Sequence, residues 1–151
     1  MDADNELMAI CDAVAAEINT SGRLAPTMAV RREFPDVDLP DTQHLQVIVS
    51  PSYSQKLPAV AEEPEARGLT EITYHVDVGV LKKIENVEHD CPPLREKADD
   101  LRELLRNRAL TEYPAARWRG TEVLAICDRH TLKTKRTFIA VFTLAYSVHA
   151  S

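Results

Sequence analysis

Four side chains with the chemistry of zinc ligands occur in two short groups, His89 with Cys91 and Cys127 with His130. Two cysteines and two histidines can hold zinc in a tetrahedral site. The spacings His-x-Cys and Cys-x-x-His are not a common pairing, however. Cys127 also ends a predicted buried strand, where cysteine packs as a small apolar side chain. We therefore predict no metal site here.

Acid–base chemistry has one candidate pair, His75 and Asp77, which lie two residues apart on one face of a predicted strand. The same alternation is typical of the solvent face of any amphipathic strand. Asp36, Asp38 and Asp41 lack the glycine and the terminal glutamate of an EF-hand. The chain also has no nucleophile elbow, no GKS or GKT loop and no HExxH. We predict no catalytic residue and no cofactor.

Charge is distributed unevenly along the 151 residues, whose net charge is −6. Residues 1–75 carry 5 Lys/Arg and 13 Asp/Glu, a net −8, whereas residues 76–151 carry 13 and 11, a net +2. A pI of about 5.4 argues against a nucleic-acid-binding protein. The asymmetry would suit head-to-tail self-association, but a solvated surface with uneven charge is the simpler explanation.

Targeting and redox signals are sparse. No apolar run approaches the ~20 residues of a membrane span, and the acidic start lacks the basic region of a signal peptide. The three cysteines, Cys11, Cys91 and Cys127, are odd in number and widely spaced. They indicate reduced thiols in a cytosolic setting.

The clearest structural pattern is the stretch 70–83, TEITYHVDVGVLKK, in which apolar and polar residues alternate. It predicts a long β-strand that is buried on one face. Around it the sequence predicts helices at 5–19 and 94–110, the second started by Pro92 and Pro93, and strands at 28–33, 44–50, 121–127 and 137–148. We expect an α/β (α+β) fold with a mixed, largely antiparallel sheet of about five strands and two helices packed against it.

Residues 1–151 are expected to form one domain, with a long flexible loop at 51–68 that contains three prolines. Surface residues on this loop and after the second helix are the candidates for an interface or for the lining of a channel. The basic stretch 129–136, RHTLKTKR, could touch phosphates. The single tryptophan is either a buried anchor or an interface anchor. The candidates are Glu62, Glu63, Glu65, Arg67, Trp118, Arg129, Lys133, Lys135 and Arg136.

Nearly the whole chain resembles a family of small bacteriophage tail-completion proteins, which includes tail terminators similar to the minor tail protein U family. The resemblance lies in the helix LMAICDAVAAEIN, the strand AVRREF, the acidic connection PDVDLPD and the strand HLQVIVSPS. It continues through the long strand ITYHVDVGVLKKI, the helix LRELLRNRAL, the aromatic junction YPAARW and the last strand FIAVFTLAYSV. None of these is a catalytic signature.

The resemblance implies a protomer that assembles as a ring, typically a hexamer, at the head-proximal end of a phage tail. Such a ring ends growth of the tail tube and joins the tail to the head or neck. The implied partners are other copies of the chain, the tail tube protein and a connector or neck protein. DNA would pass the lumen without sequence-specific binding, and we hypothesise that Glu62, Glu63 and Glu65 make that lumen acidic.

The implied location is the virion tail or neck, after synthesis in the host cytoplasm, with no membrane partner. Other functions stay open. Another connector, neck or minor tail protein would share size and symmetry with a terminator. A metal-dependent enzyme would need bound metal, and a monomeric binding module would need a concave apolar pocket.

Overall fold

The computed structural model describes residues 3–33, 44–52, 57–64, 70–126 and 136–150. In this part of the chain the fold is α+β, as expected, with six strands instead of about five. The helices are α1 (Ala3–Ser21) and α2 (Val87–Leu105). The strands are β1 (Ala29–Arg31), β2 (Gln46–Pro51), β3 (Val60–Pro64), β4 (Thr70–Lys83), β5 (Arg117–Ile126) and β6 (Thr137–Ala150).

The sheet has the order β1-β2-β4-β6-β5, and every pairing is antiparallel except that of β1 with β2. Strands β4 and β6 pair along their full 14 residues and form its centre. Strands β2 and β3 lie end to end along the same side of β4. The segment 51–68 therefore contains a strand that its prolines and glutamates did not predict, and flexibility of its remainder stays a prediction.

Both helices pack on one face of the sheet. That face receives the alternate side chains of β4 and β6, from Tyr74 to Val80 and from Phe138 to Val148, which are fully or almost fully buried. Helix α1 lies over β1, β2 and β4, and α2 lies over β6. Strand β5 extends the sheet beyond α2. No described helix is long and apolar enough to cross a membrane.

Helix α2 differs from its prediction at both ends. It begins at Val87 and not at residue 94, so Pro92 and Pro93 lie inside it. The Asn86 side chain accepts a hydrogen bond from the His89 amide, and this N-cap fixes the start ahead of the prolines. The helix ends at Leu105 and not at 110, because Arg106 is extended and Asn107 has a positive φ of 51°.

Candidate assembly surfaces

Exposed apolar side chains are concentrated at the two edges of the sheet. Met28 and Val30 are 60% and 46% exposed at the β1 edge, and Val123 and Leu124 are 38% and 40% exposed at the β5 edge. Val87 is the remaining large apolar side chain that is exposed in the described residues. Paired exposed apolar residues on a sheet edge are typical of surfaces that meet another protein.

The two edges are different in kind. Strand β1 has three residues and runs parallel to β2, with Arg31 bonded through Nε to Asp12 Oδ1 at 2.9 Å. Strand β5 has ten residues and register shifts at 118–120 and at 123–125. Bulges at an edge oppose regular pairing with another strand. A partner on β5 therefore meets its side chains more than its backbone.

A groove runs between α2 and β5, and we refer to it as the α2–β5 groove. Two adjoining cavities of about 100 and 380 Å³ form it, and Arg102 lines both. Ala98 and Phe142 contribute apolar surface to it, and Val123 lines it from β5. Trp118 and Thr121 line its other end. The groove exists because α2 covers β6 and leaves the helix-side face of β5 open.

Three arginines and two acidic residues, Asp99 and Glu103, line the helix wall of this groove. Arg95, Arg102 and Arg106 lie on α2 at spacings of seven and four residues, which places them on one side of the helix. Arg102 pairs with Asp99 at 3.2 Å and Arg106 with Glu103 at 3.8 Å. Because such exposed i,i+3 pairs contribute at most ~0.5 kcal/mol, these arginines are available to a partner. Arg95 makes no ion pair within the described residues.

The position of Trp118 agrees in part with both sequence interpretations, a buried anchor and an interface anchor. It is half-buried against the edge of the core, and its indole Nε1 donates to Thr121 Oγ1 at 3.0 Å. Its remaining surface lines the α2–β5 groove. A role of Trp118 as an interface anchor remains a prediction, and the contact would be made in the α2–β5 groove.

Of the other predicted interface residues, Glu62, Glu63 and Arg136 lie in the described part of the chain, and none of these three lines the α2–β5 groove with Trp118. Arg136 is held beside the start of α2, because its guanidinium donates to the Glu85 carbonyl at 3.1 Å and its own carbonyl accepts from the Ile84 amide. Glu62 and Glu63 lie on β3, in register with Ile72 and Glu71. Glu65, Arg67, Arg129, Lys133 and Lys135 are outside the described residues.

The helix-free face of β4 is not the simple solvated face that the sequence indicated. Asp77 is buried there, and its Oδ1 accepts a hydrogen bond from Thr143 Oγ1 at 2.6 Å. Ser50 lies in register beside Asp77, and its buried hydroxyl has no partner within the described residues. His75 Nδ1 lies 2.7 Å from the Pro58 carbonyl. His75 and Asp77 thus have separate local partners and form no acid–base pair.

The suggested zinc ligands do not converge in the part that is described. Cys91 is buried in the core, whereas His89 is exposed and contacts Asp90. Cys127 and His130 lie outside the described residues. Within them, no group of three or more His, Cys, Asp or Glu side chains is arranged to hold a metal ion. Burial raises the pKa of the Cys11 thiol to about 12, so this cysteine is a core side chain and not a nucleophile.

Comparisons with known proteins give several solved structures that match this chain. No family model matches the chain, and no curated protein matches it. A cryo-EM structure of the sheath/tube terminator of an extracellular contractile injection system, in its extended state, matches with a TM-score of 0.42 and 13% identity. The match covers 95% of this chain but only 56% of that one. A TM-score this low carries no functional argument.

Proposed function

We propose that this chain is a structural protein of a bacteriophage tail. It forms a ring at the head-proximal end, stops growth of the tail tube and joins the tail to the head or neck. The sequence resemblance to tail-completion proteins supports this assignment, and so does an α+β protomer with two helices on one face of a mixed sheet. A different connector, neck or minor tail protein is the second candidate, because it would use the same kind of protomer.

The observation that carries the ring is the pair of unlike apolar edges. Met28 and Val30 lie at one edge of the sheet, and Val123 and Leu124 lie at the opposite edge. If one edge of a copy binds the other edge of the next copy, the contact is heterologous. A heterologous contact repeats from copy to copy. It closes into a ring when the rotation that relates neighbouring copies brings the last copy back to the first. A monomeric module would have no use for two such surfaces.

The ring carries no catalytic or metal chemistry in this proposal. Its lumen passes DNA without gripping it, and Glu62, Glu63 and Glu65 are the side chains assigned to an acidic lining. Changing these three glutamates to glutamine should slow or stall DNA passage during infection while particle assembly is unchanged. Unchanged DNA delivery would remove them from the lumen.

The direct test is the particle mass, measured by native mass spectrometry on the protein alone and with isolated tail tubes. We expect either a discrete closed oligomer or assembly that occurs only on tubes, and tubes capped by the protein should not lengthen when tube subunits are added. A persistent monomer that ignores tubes would contradict the proposal. Elemental analysis of the same sample gives a second check, because stoichiometric zinc or another transition metal would favour the enzyme alternative.

A further inference from the structure

The α2–β5 groove offers an apolar floor beside a helix wall in which Arg95, Arg102 and Arg106 outnumber Asp99 and Glu103. This combination suits a segment that alternates apolar and acidic residues. We propose that this groove binds residues 34–43 of a second copy of the chain. The proposal rests on the head-to-tail contact described above and specifies it, since it names the groove and the segment that meet.

The excess negative charge of the first half of the chain is the first support. Most acidic side chains of α1 have partners within the same copy. Glu6 accepts hydrogen bonds from the hydroxyls of Tyr74 and Tyr113, Asp12 pairs with Arg31, and Glu17 pairs with Arg108. The other acidic side chains of the first half include two short stretches, 36–41 and 62–65, with three carboxylates each.

Sequence pattern distinguishes these two stretches. Residues 34–41 read FPDVDLPD, so Phe34, Val37 and Leu39 are interleaved with Asp36, Asp38 and Asp41. In an extended chain, Val37 and Leu39 would point to one side and Asp36 and Asp38 to the other. One side would then contact the groove floor while the other faces the arginines. The stretch 60–65, VAEEPE, has no large aromatic or leucine to place on the floor.

Chain length excludes docking within one copy. Residues 34–43 are tethered at Glu33 and His44, which flank β1 and β2 at the far edge of the sheet from β5. Four strand spacings of ~4.8 Å place β1 and β5 ~19 Å apart. The chain from Glu33 to His44 has eleven residue-to-residue steps of ~3.4 Å each. Because both ends are fixed at the same edge, the segment can extend at most ~19 Å from that edge and return.

The helices make the path within one copy longer still. On the groove side, α1 and α2 lie between the two edges, and each is ~10 Å across. A segment whose tip only just reaches β5 along a straight line cannot also pass the helices and lie along the groove. The occupant therefore comes from another copy, and the contact joins the β1–β2 edge of one copy to the β5 edge of the next.

Trp118 gives a direct readout of the groove, because it is the only tryptophan in the chain and lines one end. A synthetic peptide of residues 33–44 contains no tryptophan, so the emission of Trp118 can be followed while the peptide is added to the full-length protein. We expect a saturable change in emission that weakens as salt is raised. The matched controls are the same peptide with its three aspartates changed to asparagine, and a peptide of residues 59–67.

Charge reversal tests the same contact in the assembly. The groove variant, Arg95→Glu/Arg102→Glu/Arg106→Glu, should weaken peptide binding at least tenfold, and should not assemble. The segment variant, Asp36→Lys/Asp38→Lys/Asp41→Lys, should also not assemble. An equimolar mixture should assemble as an alternating, even-numbered oligomer, because each segment then meets a groove of opposite charge. Recovery in the mixture also shows that both variants are folded.

The outcomes separate this inference from the proposed function. If the wild-type protein assembles, alone or on tubes, but both variants assemble equally well and the peptide leaves Trp118 unchanged, the groove assignment is wrong and the ring stands. If the changes Glu62→Lys/Glu63→Lys/Glu65→Lys block assembly while the segment variant assembles normally, the occupant is misassigned. If the wild-type protein assembles under no condition, the proposed function itself fails.

Discussion

At the scale of single residues, Glu17 shows how a polar side chain can hold distant parts of the fold together. Its carboxylate accepts hydrogen bonds from Arg108 Nε and from the Thr111 amide, each at 2.7 Å, and its side chain is only 5% exposed. Burial acts to raise the pKa of Glu17, but the bonds from Thr111 and Arg108 outweigh it and lower this pKa. The sequence could not indicate this role, since both partners lie more than 90 residues away.

We expect Glu17→Gln to lower the free energy of unfolding by ~1–3 kcal/mol near neutral pH, because two hydrogen bonds lose their charge. The pKa is lower in the folded protein than in the unfolded chain, so this stabilisation is complete above the usual value of 4.5 and is lost as the pH falls through the folded pKa. Urea unfolding of wild type and variant should therefore differ less in acid. A difference that is the same at both pH values would contradict the assignment.

The matched control is Glu103→Gln. Glu103 is exposed and pairs with Arg106 at 3.8 Å on the surface of α2. The substitution Glu103→Gln should alter the free energy of unfolding by no more than ~0.5 kcal/mol. The contrast between the two glutamates separates an anchored carboxylate from a solvated one.

At the scale of elements, local patterns predicted best where they were strong. The alternation of apolar and polar residues at 70–83 predicted the observed bounds of β4, although residues 76–81 are buried on both faces of the sheet. Strand β3 was missed because Val60–Pro64 is short, acidic and ends in proline, and it is a strand only through its pairing with β4. The exposed edges could not be predicted either, since strand order depends on pairings far apart in the chain.

Helix α2 shows two local signals in competition. Pro92 and Pro93 favour a helix that starts beside them, whereas Asn86 offers an N-cap six residues earlier. The cap is reinforced by Asp90, whose carboxylate accepts from the amides of Asn86 and Glu85. These backbone hydrogen bonds lower the pKa of Asp90 to about 2, so the group stays ionised. The helix therefore starts at the cap and includes both prolines.

We expect Asn86→Ala to lower the free energy of unfolding by ~1 kcal/mol, the usual effect of losing an N-cap side chain. Hydrogen exchange at the Asp90 and Cys91 amides should become faster, because this first turn loses its cap. Glu96→Ala on the exposed face of the same helix is the control, with an expected change within ~0.5 kcal/mol. Equal stability and unchanged exchange in Asn86→Ala would mean that the helix does not depend on this cap.

At the scale of the whole molecule, the charge distribution and the arrangement of the sheet edges both favour a directional contact between copies. The acidic first half and the slightly basic second half were evident from the sequence. The fold then places β1 and β5 at opposite edges, with apolar residues exposed at each and arginines along the α2–β5 groove. A sheet that offers different surfaces at its two edges is suited to a directional contact. In such a contact every copy binds one neighbour through its β1 edge and another through its β5 edge.

A directional contact makes a sharp prediction for variants blocked at one edge. Met28→Lys should disable the β1 edge and Val123→Lys the β5 edge, and each variant alone should be monomeric where the wild type assembles. Mixed in equal amounts, they should form a dimer and nothing larger, because one intact edge remains on each. Val87→Lys, at the exposed apolar residue away from both edges, should assemble normally. If the contact were instead symmetric through β5, Met28→Lys would still dimerise alone, and sedimentation velocity distinguishes these results.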